Sequence, residues 1–369
     1  MEKESVEAFM GLGSYSMKGG EGPHSYALNS TAQKVGIEAA KTLIQQAIAN
    51  KFDPKTVSAS STTHPICIAD LGCSTGPNTF ISMQYIAEAI ELNYQSHGLP
   101  LPELQVFFND QLSNDFNTLF NKLPSNRNYF AAAVPGSFYG RLFPKNTLHF
   151  VHSSASLNWI SKVPKEITDR NSPAWNKGRI HYANAPKEVA EAYLNQFRKD
   201  MEIFLHARAQ ELVGNGLMAL VIPAVDDAIF DPDMCPASDI ELLGTCLVDM
   251  AKEGKANEEK VDSFNLPIFF SPLKELKKIL ESNEHFTIEQ TETIVANKNP
   301  FNLDTVDMYV YHHRAAMEGL IQNHFGVGII DELYDHFAKK VKQFPDVMDM
   351  QKRNIVALFV VLKLKLLDQ

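Results

Sequence analysis

Four cysteines in 369 residues (Cys67, Cys73, Cys235 and Cys246) are too few for a disulfide scaffold, so a reducing, cytoplasmic setting is expected. In that setting the sequon at Asn29 meets no glycosylation machinery. No C-x-x-C pair occurs. Cys67 and Cys73 lie on and just after an apolar strand-like run, where packing accounts for them better than zinc does. No apolar run of 18 residues is present, and the opening MEKESVEAFM is charged where a signal peptide has its apolar centre, so no membrane association is expected. Basic residues are outnumbered, 34 against 44 acidic, for a formal net charge of −10. That balance argues against a broad nucleic-acid-binding face. The phosphate-loop pattern G-x-x-x-x-G-K-[ST] is missing, as are internal repeats and low-complexity tracts. Nineteen glycines and nineteen prolines exclude collagen-like and disordered classes. What is present is 44% hydrophobic residues, enough for one large core with an elaboration or for two modest domains.

Strand-like and helical patterns alternate through the first 225 residues. A glycine-rich start (Gly11, Gly13, Gly19, Gly20, Gly22) reads as an irregular arm over a ligand or as a loose terminus, and Ser58–Thr63 as a polar loop. Apolar residues at helical spacing mark Thr31–Asn50. The strand PICIADLG then leads into the helix NTFISMQYIAEAIELNY; the strand ELQVFFND precedes a short helix near Asp115–Leu123. YFAAAVPG and TLHFVHSS read as strands, Pro186–Val213 as a long helix and GLMALVIPA as a fifth strand. This rhythm predicts an open α/β sheet, mostly parallel and covered on both faces. After about Val225 helices dominate (Ser238–Glu253, Pro272–Glu281, Met308–Phe325, Gly328–Val341), forming a cap. HFTIEQTETIVA and NIVALFVVLKLK are expected to add antiparallel strands at the sheet edge. The expected division is an arm over 1–30, a core over 31–225 with edge strands from 285–297 and 352–369, and a cap over 226–284 and 298–351.

Chemistry concentrates at ADLGCSTGPNT, Ala69–Thr79. An acidic residue ends a strand, Gly72 permits a sharp turn, and Gly76 opens a helix, which brings backbone N–H groups near a ligand. The spacing is not the G-x-G-x-x-G of dinucleotide folds. Asp110, ending the next strand, suits ribose hydroxyls. Turn and carboxylate together point to an adenosine cofactor without pyrophosphate, a description that S-adenosylmethionine fits; a purely structural turn is the plain alternative. The pair His312-His313 reads as one buried and one exposed helical residue rather than a metal site.

The segments SMKGGEGPHSYALNSTAQK, IADLGCSTGPNTF, FFNDQLSNDFNTLF, VPGSFYGRLFPKNTLHFVHSSASLNWIS, NKGRIHYAN and VDSFNLP, in that order, resemble the plant SABATH methyltransferases. The resemblance runs from about Met17 to the C-terminus. It implies a Rossmann-like core with an α-helical cap, a homodimer, and methyl transfer from S-adenosylmethionine to carboxylates of small acids or, in one branch, to xanthine nitrogens. Carried over by motif, the cofactor positions are Tyr26, Ser30, Asp70, Cys73, Asn78, Asp110, Gln111, Ser137, Phe138 and Ser154; Gln111 stands where the family usually has leucine. The resemblance also implies a structural Mg²⁺ at Asn176, Asp262, Phe264 and Asn265.

For the substrate it implies Gln33 and Trp159 as carboxylate-orienting donors, acting in catalysis, with Lys18, Ala155, Asn158, Asp239, Ile240, His313 and Ile355 around them. Here the chain departs from the salicylate type. Ala155 replaces a tyrosine, Asn158 a methionine, Asp239 an isoleucine and His313 a methionine. Asp239 can equally be a helix-start residue favoured by the dipole. The expected activity is esterification of a small acid more polar or bulkier than salicylate, carrying a hydroxyl or a cationic amine. An N-methyltransferase of xanthine-type alkaloids and a silent acid-binding protein are the alternatives.

Overall fold

The computed structural model describes residues 16–55, 65–226, 238–295, 305–349 and 355–365. Gly11 and Gly13, the Ser58–Thr63 loop, Cys235 and the outer ends of the late strand segments lie outside the described residues. One sheet organises the chain, with strand order β3-β2-β1-β4-β5-β8-β7 and a short β6 beside β5. The strands are β1 Ile66–Leu71, β2 Leu104–Asp110, β3 Phe130–Pro135, β4 Leu148–Ser154, β5 Leu212–Val225, β6 Ser271–Pro272, β7 Phe286–Val295 and β8 Ile355–Leu364. β1 to β5 run parallel, whereas β8 pairs antiparallel with both β5 and β7, as the late strand patterns imply.

Alternation along β5 sends side chains to two different cores. Leu217, Ala219 and Val221 pack with α1 (Thr31–Lys51) and α2 (Pro77–Ser96). Met218, Leu220 and Ile222 pack beneath α4 (Lys187–Glu211), whose Tyr193, Phe197, Met201 and Phe204 are fully covered. Between these helices in sequence lies the short α3, Phe116–Asn121. A third core, around Leu243, Leu247, Tyr309, Ile321, Leu333 and Phe337, joins α5 (Ser238–Lys252), α6 (Glu258–Ser263), α8 (Val306–Phe325) and α9 (Ile330–Gln343) into the cap. A further helix, α7 (Leu273–Glu281), packs Leu276 and Leu280 on the α4 side.

Several boundaries differ from the sequence expectation, for local reasons. α4 stops at Glu211 and β5 begins at once, four residues before Gly216. Leu212 already pairs with Leu148; the register then shifts before Phe150 meets Leu217, and Asn215 takes a left-handed φ of 64°. An irregular strand entry absorbs what helical periodicity assigned to the helix. α8 starts earlier than Met308 because the Thr305 hydroxyl accepts the Met308 N–H (3.2 Å). α6 and β6, of six and two residues, are too short to show a period.

Candidate active site

The C-terminal ends of the parallel strands meet at one cavity of about 370 Å³. Gly72 leaves β1 with φ +84°, and a Cβ there would sit 2.1 Å from Ser156 Oγ, so the chain passes only as glycine. The Asn109 carbonyl accepts the N–H groups of Gly72 and Cys73 (both 2.9 Å), while its side-chain amide donates to the Val134 (2.7 Å) and Gly136 (2.9 Å) carbonyls. Asn109 thereby ties the ends of β1, β2 and β3 together. Pro77 then starts α2 at its first turn.

Two carboxylates stand at this edge. Asp70 is buried; one oxygen faces His152 Nδ1 at 2.8 Å and the other accepts the Thr79 hydroxyl. Asp110 lines the cavity and accepts the N–H groups of Ser74 and Gln111, each at 2.7 Å. Burial raises its pKa to about 6, opposed by those two N–H bonds and reinforced by the Asp70 charge. The Tyr26 phenol is pushed upward by burial and by both carboxylates. The Cys73 thiol, in the core, is raised well above its usual range by burial.

The turn also spells G-x-S-x-G, and Ser74 has the positive φ (53°) of a nucleophile elbow. Its N–H is spent on Asp110, no histidine lines the cavity among the described residues, and the Ser74 hydroxyl has no hydrogen-bond partner among them that could take its proton. The geometry is that of a ligand-cradling turn.

Of the cofactor positions, Tyr26, Asp110, Gln111, Ser137, Phe138 and Ser154 line the cavity. Ser30, Asp70, Cys73 and Asn78 stand behind it, with Asn78 Nδ2 donating to the Ser30 carbonyl (2.9 Å). Gln33, Ala155 and Trp159 line the same cavity, so the positions implied for cofactor and for acid share one space. Gln33 Oε1 and Asn158 Oδ1 are buried acceptors without a partner among the described residues. Sequence reasoning missed Met17, Tyr139, Ser156, Lys162, Ile203 and Ala316 in the lining. Tyr139 and Ser156 lie inside motifs already singled out, whereas Ile203 and Ala316 carry no local signal.

Other positions are engaged elsewhere. The Lys18 ammonium pairs with Glu318, and the Lys18 N–H donates to the Ala315 carbonyl (2.9 Å), strapping the arm to α8. On the opposite side of the strap the Gly20 N–H donates to Asp115 (2.9 Å). Asp239 and His313 face each other: His313 Nε2 lies 2.5 Å from Asp239 Oδ2, and His313 Nδ1 donates to the Tyr309 carbonyl (2.8 Å). Both ring nitrogens are engaged, so the imidazole bridges the Tyr309 carbonyl and the Asp239 carboxylate. Neither residue is among the cavity lining. Ile240 packs in the cap core, and Ile355 pairs with Val225 at the start of β8. His312 is only half-buried and bonds the Asn29 carbonyl through Nδ1 (3.1 Å).

The residues implied for Mg²⁺ gather away from the cavity. Asn176 Nδ2 donates to the His181 carbonyl (3.0 Å) and to Asn265 Oδ1 (2.7 Å), and Asp262 accepts the Gly178 N–H (3.0 Å). Among the described residues Asn176 Oδ1 is a buried acceptor without a partner, as a cation site needs, but Asn265 Nδ2 is a buried donor without one. Phe264 packs its ring into the cap core. Among the described residues no three His, Cys, Asp or Glu side chains converge. With one hydrogen-bonded carboxylate and the Asn265 oxygen already committed, the set does not fit Mg²⁺.

Comparison with known proteins agrees with this geometry. The profile of the family described as SAM dependent carboxyl methyltransferase matches residues 13–365. The chain is 47% identical over 352 residues to loganic acid O-methyltransferase of Catharanthus roseus, covering 95% of this chain and 94% of that one. It is 41% identical over 331 residues to farnesoic acid carboxyl-O-methyltransferase of Arabidopsis thaliana, covering 89% and 93%. A solved structure of loganic acid methyltransferase with SAH superimposes with a TM-score of 0.88 at 45% identity, covering 95% of this chain and 98% of that chain. The Rossmann-like methyltransferase core, the cradle at its strand ends and these matches converge: the chain is an enzyme that belongs to the S-adenosylmethionine-dependent carboxyl methyltransferases.

Proposed function

We propose that the acid esterified is a hydroxylated small molecule of the loganic acid type, held by Gln33 and Trp159 with its carboxylate toward the cofactor. The observation that carries this reading is the single cavity shared by Asp110, Ser137 and Phe138 with Gln33 and Trp159, in whose lining no histidine or cysteine stands among the described residues. A carboxylic acid of pKa ~4 is already ionised at neutral pH and needs none. When bound, S-adenosylmethionine supplies an electrophilic methyl group beside a positive sulfur. The protein's part is positional: Asp110 accepts the ribose hydroxyls, Phe138 lies against the adenine, and Gln33 Nε2 and the Trp159 indole N–H donate to the acid. The strap bearing Met17 and Tyr26 excludes water. Ala155 lines the cavity and provides room, and Gln33 Oε1, without a partner among the described residues, can accept a substrate hydroxyl, which favours a polar acid over benzoate.

The cationic-amine alternative loses its support, because Asp239 is already paired with His313. Mg²⁺ is given no step. The family resemblance supports a homodimer, the low cysteine count supports a cytoplasmic location, and the arm, core and cap division belongs to the same proposal. The test is a panel of loganic, farnesoic, salicylic and benzoic acids and xanthine with labelled S-adenosylmethionine. Methyl loganate as the leading product is expected, with Gln33→Ala raising the KM for the acid while SAH affinity holds. Preference for benzoate, or methylation of xanthine nitrogen, would overturn the reading.

A further inference from the structure

Arg208 and Glu211, in the last turn of α4, have no solvent exposure at all. Burying such a pair costs desolvation that mutual attraction seldom repays, so what else the two groups hold deserves an accounting. Arg208 Nε donates to Glu211 Oε2 at 2.8 Å. The other two guanidinium nitrogens donate to the carbonyls of Phe138 and Gly140, both at 2.8 Å. Glu211 Oε1 accepts the backbone N–H groups of Leu142 and Phe143, the latter at 3.0 Å. Four of the pair's five bonds therefore end on the backbone of one loop, Phe138–Phe143, and none on a side chain of that loop.

This loop leaves β3 through Gly136 (φ 149°) and forms a wall of the cavity with Ser137, Phe138, Tyr139 and Gly140. It has no regular secondary structure to fix its carbonyls and N–H groups. The Phe138 ring meets Phe204 of α4 edge-on, with centroids 6.0 Å apart, one turn before Arg208. We infer that the Arg208–Glu211 pair is the positioning device of the cofactor's adenine wall: a planar fork and a carboxylate that together template the backbone of the Phe138–Phe143 loop. The inference rests on the reading that Phe138 lies against the adenine. Lysine could keep the charge opposite Glu211 but could not reach both carbonyls with fixed geometry.

The experiment is titration of SAH into wild type, Arg208→Lys, the apolar double variant Arg208→Met/Glu211→Leu, and Phe138→Ala, each with its denaturation midpoint. The double variant removes both charges, so it avoids leaving one buried and unpaired, and Arg208→Lys decides the matter should it fail to fold. Expected are SAH dissociation constants raised about tenfold or more in both pair variants, measured on folded protein. A lowered midpoint with SAH affinity within twofold of wild type in the folded variants would make the pair merely structural and overturn the inference. Unchanged affinity in Phe138→Ala would instead remove the adenine reading beneath it.

Discussion

Replacing Asp110 by asparagine separates the cost of the buried carboxylate from its use. Its pKa stands near 6 in the folded protein against the usual 3.8, so the ionised form is disfavoured by up to ~3 kcal/mol relative to the unfolded chain. The carboxylate faces the cavity, where water reduces the penalty, so ~1–3 kcal/mol is the working range. The sign follows from the direction of the shift. With the folded pKa raised, the group's contribution to stability is fully present below about pH 3.8 and is lost as pH rises through about 6. Asparagine cannot ionise, so its own cost, one oxygen for the two N–H donors of Ser74 and Gln111, does not vary with pH. Urea unfolding of the ligand-free proteins from pH 4.5 to 7.5 should therefore show wild type losing ~1–3 kcal/mol relative to Asp110→Asn as pH rises. SAH affinity should move the other way: wild type binds more tightly as pH rises through 6, and the variant binds about ten- to a hundredfold more weakly, without that dependence. A stability difference independent of pH would refute the buried-carboxylate argument, and unchanged SAH affinity would refute the ribose assignment.

Three further outcomes are expected. At saturating cofactor and acid, kcat should stay flat from about pH 6.5 to 8.5, since an ionised carboxylate loses no proton; a tenfold climb per pH unit in a chemistry-limited rate would indicate a nucleophile needing deprotonation. His313→Leu should cost about 3–5 kcal/mol in urea unfolding by stranding the buried Asp239 carboxylate, with much of the loss recovered in His313→Leu/Asp239→Ile; no recovery would mean that the pair is not coupled. Gly72→Ala should impair both folding and SAH binding, and adding Ser156→Gly should remove the 2.1 Å and 2.5 Å clashes with Ser156 Oγ and Cβ but not the strain of φ +84°; full rescue would show that only space matters there.

The sheet was legible because its signals are local. β1 and β2 are short apolar runs ending in acidic residues, and the helices between them carry 3.6-residue periodicity, so the parallel core and the antiparallel late strands could be read in order. The β4–β5 register shift was not legible, because it depends on Leu212 finding Leu148 across the sheet, and helical spacing in the preceding segment continues past the true boundary. The cradle likewise follows from spacing: a strand-end acid, a glycine that must turn, and a glycine before Pro77.

Side chains that meet across long sequence separations are a different matter. Lys18 and Glu318 are 300 residues apart, Asp239 and His313 are 74 apart, and nothing in either neighbourhood announces its partner. Read singly, Asp239 and His313 are polar residues where apolar ones usually stand, which makes a substrate with its own donors seem necessary. Seen together they satisfy one another, and the polar demand on the substrate shrinks to Gln33, which lines the cavity and whose oxygen has no partner among the described residues; Asn158 is outside the lining. An amide oxygen is a neutral acceptor, suited to a hydroxyl donor and offering a cation no countercharge. On the proposed reading, the specificity of the pocket rests on hydroxyl number and on the room left at Ala155, two quantities that vary independently across a panel of acids. An Ala155→Tyr enzyme should accept only smaller acids while keeping its preference for hydroxylated ones, because the room at Ala155 and the unpartnered Gln33 oxygen act on separate features of the ligand.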